Sequence, residues 1–119
     1  LARALNPQRS SLFATAVDSI DACMPGATGL VNCTPVGMTG NPGTALPARL
    51  MRGATWAFDA VYIPVDTEFL RAAATAGLRT MDGYELLFYQ GVDAFEHFTG
   101  RRPDEQQLRQ RVQSQGKGT

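Results

Sequence analysis

Apolar and polar positions in the last third of this chain follow a helical period. From Tyr84 to Phe98 the side chains of Tyr84, Leu87, Phe88, Val92, Phe95 and Phe98, with Gly91 among them, recur every three or four residues, which is the spacing of one face of an α-helix. The pattern predicts a strand ending at Met81-Asp82, a turn at Gly83, a helix with Gln90 in its middle, and a stop at Gly100. Gly83, Leu86, Gln90, Asp93 and His97 share a second stripe of that helix. A glycine at the mouth of a helix, with an amide on its exposed flank, suits a small polar ligand. A core helix with one solvated face accounts for the same pattern.

The remaining patterns are shorter. Leu1 to Leu5 reads as the tail of a helix stopped at Asn6-Pro7, and Leu12 to Val17 as a short strand. A short helix is expected from Asp18 to the Pro25-Gly26 stop. Gly29 to Asn32 is apolar and then abruptly polar, a buried strand leading into the loop Thr34-Pro35-Val36-Gly37-Met38. Thr34 offers a hydroxyl there, the backbone can offer amides, and Gly37 permits close approach. A turn-rich stretch, Thr39 to Thr44, precedes one or two helical turns at Leu46 to Met51. Thr55 to Tyr62 is rich in aromatic and β-favouring residues and reads as a strand that Pro64 stops. Tyr62 then falls at or just past its carboxyl end, where a tyrosine can serve a ligand or simply cover the core. Asp66-Thr67-Glu68 opens a helix that Gly77 closes, Leu78 to Met81 is a third strand, and Pro103-Asp104-Glu105 starts a last helix touching the core through Leu108 and Val112. Gln113 to Thr119 reads as a flexible tail.

Strands alternating with helices argue for a parallel α/β sheet, and ligands of such sheets bind beyond the carboxyl ends of the strands. Only three or four strands are present, and no glycine-rich dinucleotide fingerprint follows a first strand. The expected fold is the C-terminal half of a Rossmann-like parallel sheet with flanking helices. The 119 residues suffice for one small domain. A formal net charge of zero advertises no nucleic-acid partner, and no apolar run approaches the ~20 residues that span a bilayer. Cys23, Cys33 and the single His97 form no disulfide framework or metal-ligand spacing, so Cys33 is expected as a small core residue and His97 as an exposed helix residue. A cytoplasmic location fits this composition. The opening Leu1-Ala2-Arg3-Ala4-Leu5, with neither initiator methionine nor N-cap, reads as a piece of a longer polypeptide.

Several motifs, in order, resemble the shikimate dehydrogenase family. Asn32-Cys33-Thr34-Pro35-Val36-Gly37-Met38 is similar to that family's NATPxGM loop, and Phe58-Asp59-Ala60-Val61-Tyr62 to its (Y/G)D(M/V)xY strand. Pro64 with Thr67 to Leu70 resembles the P-x-x-T-x-x-L helix start. Asp82-Gly83 and Leu86 to Gln90 resemble DGxxMLxxQ, followed by a family-like AFxxFTG at 94–100. Together these motifs cover roughly residues 29 to 112, and their wording is nearest the NAD-preferring quinate/shikimate branch.

The resemblance implies residues 1–112 of a partial NAD(P)-binding domain with C-terminal helices, whose N-terminal substrate domain is missing from this chain. It implies hydride transfer between NAD or NADP and shikimate or quinate, and it allows a homodimer. Asn32, Thr34, Pro35 and Met38 would lie along the dinucleotide, Ala60 and Leu86 would flank the nicotinamide, and Gly83 would approach it through its backbone. Tyr62 and Gln90 would reach the substrate. Ala60 stands where a methionine or valine is frequent, and Leu86 where methionine is, a volume-conserving exchange. The family's acid/base pair, a lysine and an aspartate, belongs to the N-terminal domain. The only lysine here is Lys117, so the chain alone is expected to be inactive. A non-catalytic ligand-binding or regulatory relative carrying the same Tyr62 and Gln90 is the alternative.

Overall fold

The computed structural model describes residues 14–116. Three parallel strands, β1 (Gly29–Asn32), β2 (Trp56–Asp59) and β3 (Arg79–Met81), form a sheet in that order. Three helices accompany it, α1 (Glu68–Thr75), α2 (Gly83–Thr99) and α3 (Glu105–Gly116), with single 3₁₀ turns at Ile20–Ala22 and Ala48–Leu50. The expected α/β order of elements is therefore present. The helix expected at Leu1–Leu5 lies outside the described residues, as does the start of the strand expected at Leu12–Val17. Residues 14–17 form no strand, and residues 15–17 are exposed. Helix α3 continues to Gly116, so residues 113–116, expected as tail, are helical.

Local chemistry explains where each element starts and stops. Thr67 caps α1, its hydroxyl accepting from the Leu70 amide at 3.2 Å, and Gly77 at φ +85° supplies the left-handed residue that ends it. Asp82 caps α2 by accepting from the Glu85 amide at 3.1 Å, and Gly100 at φ +68° closes that helix. Strand β2 is shorter than the apolar run predicts. The reason is Asp59, whose Oδ1 takes the Val61 amide at 3.0 Å and bends the chain in an Asx turn.

Helix α1 covers one face of the sheet. Leu30 and Ala57 point into that layer and meet Phe69, Leu70, Ala73 and Leu78, with Leu46 and Met51 from the preceding connection completing the core. Burial of each large side chain stabilises the layer by about 1.5–3 kcal/mol. The opposite face is open: Val31 is 54% exposed, Met81 53% and Trp56 39%, although parallel sheets are commonly covered on both faces.

Helices α2 and α3 form a hairpin. Arg109 holds Glu85 through two bonds of 2.8 and 2.7 Å while its guanidinium lies 3.9 Å over the Phe88 ring. Arg102 bonds Asp93, Glu96 and Glu105 together. The stripe expected to be core is only partly so. Phe88 and Val92 are buried, but Leu87, Phe95 and Phe98 are 44%, 48% and 85% exposed. Periodicity shows which side chains share a face; α3 covers only one flank of it and leaves an apolar groove of about 430 Å³. No helix among the described residues is long and apolar enough to cross a membrane.

Candidate functional site

In register, Asn32 faces Asp59 at the carboxyl ends of β1 and β2. Their side chains point into the α1 layer and are almost fully buried, at 2% and 0% exposure. Two polar side chains buried side by side must satisfy each other. The Asn32 amide nitrogen donates to Asp59 Oδ1 at 3.0 Å and to the Val36 carbonyl at 3.0 Å. Asp59 Oδ2 accepts from the Thr67 hydroxyl at 2.6 Å. The end of β1, the end of β2 and the start of α1 are thus tied by one buried polar network.

The loop after β1 hangs from Asn32. Its Oδ1 accepts both the Thr34 amide at 3.0 Å and the Thr34 hydroxyl at 2.7 Å, and the Val36 amide donates to that hydroxyl at 3.2 Å. The Gly37 amide donates to Asn41 and the Met38 amide to Pro35. The expectation that this loop holds out amides to a ligand is corrected by this count. The amides of Thr34, Val36, Gly37 and Met38 are spent on the loop itself, which makes it a rigid shelf. Further along, the Thr39 amide donates to the Ile63 carbonyl at 2.9 Å and joins the shelf to the segment after β2.

Between that shelf and that segment lies a cavity of about 230 Å³, lined by Cys33, Thr34, Pro35, Met38 and residues 60–63. The structure therefore brings Thr34, Pro35, Met38, Ala60 and Tyr62 to one cavity, with Asn32 buried beneath them. Cys33 is exposed and lines it, a correction to its expected place in the core: the strand ends one residue earlier, and the alternation turns Cys33 outward. Tyr62 is 44% exposed.

Gly83 meets this site from the other side. It is buried at the first position of α2, and a Cβ there would lie 2.5 Å from the carbonyl oxygens of both Ala60 and Val61. The helix carrying Gln90 is thereby seated against the backbone that carries Tyr62. Leu86 (41% exposed) and Gln90, also exposed, stand on α2 and do not line the cavity. His97 is exposed. The residue that sequence reasoning left out of the site is Asp59. An aspartate closing an apolar strand is the signal that could have found it, because strands are depleted in aspartate.

Residues 83–113 match the family model described as the Shikimate 5'-dehydrogenase C-terminal domain. The chain is 41% identical over 95 residues to a shikimate dehydrogenase (NADP(+)) of Streptomyces avermitilis, covering 80% of this chain and 33% of that protein. It is 40% identical over 119 residues to a quinate/shikimate dehydrogenase (NAD(+)) of Corynebacterium efficiens, covering 88% of this chain and 42% of that protein. Among solved structures, quinate dehydrogenase from Corynebacterium glutamicum in complex with NAD superposes with a TM-score of 0.74 at 41% identity, over 81% of this chain and 34% of that one. The chain spans a third to two fifths of the length of the curated relatives named here.

Proposed function

The chain belongs to the shikimate dehydrogenase family, and on that premise we propose that it forms the nicotinamide side of the active site of an NAD(P)-dependent dehydrogenase acting on shikimate or quinate. The observation that carries this reading is the cavity at the carboxyl ends of the strands, lined by Thr34, Pro35, Met38, Ala60 and Tyr62. Its walls suit a flat ring. Pro35, Met38 and Ala60 give apolar contact, Tyr62 brings a hydroxyl, and about 230 Å³ is below the ~300–1,000 Å³ usual for a whole small-molecule site. One ring of the dinucleotide fits; the remainder needs surface beyond this cavity.

When bound, the nicotinamide supplies the hydride acceptor or donor. The chain's own residues orient the partners of that transfer. Asn32, Thr34, Pro35 and Met38 would form the shelf along the dinucleotide, Ala60 would meet the ring from within the cavity, and Leu86 and Gly83 would approach it from α2, outside that cavity. The Tyr62 hydroxyl and the Gln90 amide hold the substrate's hydroxyl and carboxylate side, so that the reacting carbons meet in a productive pose. The family resemblance implies that a lysine and an aspartate of an N-terminal substrate domain would take up and return the carbinol proton.

The experiment is an assay of the complete polypeptide carrying this chain, with shikimate and quinate each tested against NAD and NADP. Turnover with at least one pair is expected. A folded, complete protein with no turnover on any pair would overturn the enzymatic reading and leave a ligand-binding relative.

A further inference from the structure

Burying a carboxylate is costly unless its oxygens are satisfied, and Asp59 is fully buried. Among the described residues no arginine forms an ion pair with it. Three donors converge on it instead: the Asn32 amide and the Val61 amide on Oδ1, each at 3.0 Å, and the Thr67 hydroxyl on Oδ2 at 2.6 Å. Two of those donors govern different parts of the site, and the third lies outside it. Asn32 carries the Thr34–Val36 shelf. Val61 precedes Tyr62 and shares with Ala60 the carbonyls against which Gly83 is seated. Thr67 caps α1 and does not line the cavity.

We infer that Asp59 is a positioning residue of this active site: through Oδ1 it sets the shelf along the dinucleotide and the Ala60–Tyr62 wall facing it at one fixed separation. Its Oδ2 bond to Thr67 anchors the carboxylate to α1 and serves stability alone. The inference rests on the dinucleotide-site reading proposed above. It gives the two oxygens of one side chain separable consequences.

The test compares three variants of the complete enzyme for melting temperature and for dinucleotide affinity, measured by titration with the reduced cofactor. Asp59→Ala removes the acceptor shared by Asn32 and Val61 and is expected to weaken dinucleotide binding about tenfold or more. Thr67→Val removes the Oδ2 bond and the helix cap but spares Oδ1. It is expected to lower the melting temperature while keeping affinity within about threefold of wild type. Asp59→Asn retains one acceptor oxygen for the two amides, with its nitrogen turned to the Thr67 oxygen, and should restore most of the affinity lost in the alanine variant. If Asp59→Ala does not fold, Asp59→Ser takes its place, since a serine oxygen is too short to reach both amides. Wild-type affinity in the folded alanine or serine variant overturns the inference, as does an equal loss in Thr67→Val. A wild-type enzyme that binds neither NADH nor NADPH overturns the parent reading instead.

Discussion

Gly83→Ala adds a single methyl group where the structure has least room for one. The new carbon would stand 2.5 Å from two carbonyl oxygens and 2.7 Å from the Ala60 carbonyl carbon, all of them backbone, whereas comfortable contact begins near 3.4 Å. Relief requires the first turn of α2, or the Ala60–Tyr62 segment, to move by roughly 0.5–0.9 Å, because no flexible side chain can absorb the clash. Overpacking of this kind costs about 1–3 kcal/mol, against at most about 1 kcal/mol gained from alanine's helix propensity. A fall of a few degrees in the melting temperature of the complete enzyme is therefore expected, at ~2–4 °C per kcal/mol. The larger effect should be catalytic. The displaced elements carry Gln90 and Tyr62, and misplacing reacting groups by about 1 Å costs about 10²-fold. A loss of about 10–100-fold in kcat/KM is expected in a steady-state assay on folded enzyme. Gly91→Ala is the matched control in the same helix: nothing lies within 4 Å of its added carbon, and a gain of about 0.5–1 kcal/mol is expected. If Gly83→Ala keeps kcat/KM within about threefold of wild type, the seating of α2 against Ala60 and Val61 does not govern the site, and the reasoning fails.

Three further outcomes are expected. Gln90→Ala should raise KM for the cyclic acid and lower turnover while leaving dinucleotide affinity nearly unchanged; equal losses for both ligands in titrations would contradict its assignment. Tyr62→Phe deletes one hydroxyl, and losing one hydrogen bond to a charged ligand should cost about 1.5–3 kcal/mol, one to two decades in kcat/KM, so an unaltered value would remove Tyr62 from the substrate site. The Arg109 guanidinium hydrogen-bonded to Glu85 holds that carboxyl below its ordinary value of 4.5. Its stabilising contribution is complete above that value and is lost as the pH falls through the lower folded-state value. Melting temperature should therefore drop in acid more steeply in wild type than in Arg109→Gln. Because the pair is partly exposed, the difference is expected to be small and to shrink in salt.

How much of this was legible beforehand differs from element to element. The caps at Thr67, Asp82, Gly77 and Gly100 obey local rules, so α1 and α2 end within a residue or two of their expected bounds. Strands β1 and β3 and the loop after β1 were equally readable, since each strand ends where apolar residues give way to polar ones, whereas β2 stops three residues short of Tyr62 because Asp59 bends the chain. The fate of the α2 stripe was not. Leu87, Phe95 and Phe98 have the spacing of core residues but meet too few neighbours to be covered, and spacing carries no information about the opposing layer. The loop amides were misjudged for a related reason. Whether an amide faces a ligand or folds back on Asn32 depends on side-chain hydrogen bonds spanning two to four residues, which composition does not display. Asp59 and Thr67 lie eight residues apart and meet only because β2 and α1 pack together. Their pairing is a product of tertiary structure, even though each residue was part of a readable motif.

The open face of the sheet has a spectroscopic consequence. Trp56 is the only tryptophan in the chain, and it stands on that face, 39% exposed, with its indole against Gly29. Its emission therefore reports on whatever lies over Val31, Phe58 and Met81. A red-shifted, readily quenched band is the signature of the uncovered sheet. A blue shift with protection from a soluble quencher would record the moment another layer closes over it, with no label added.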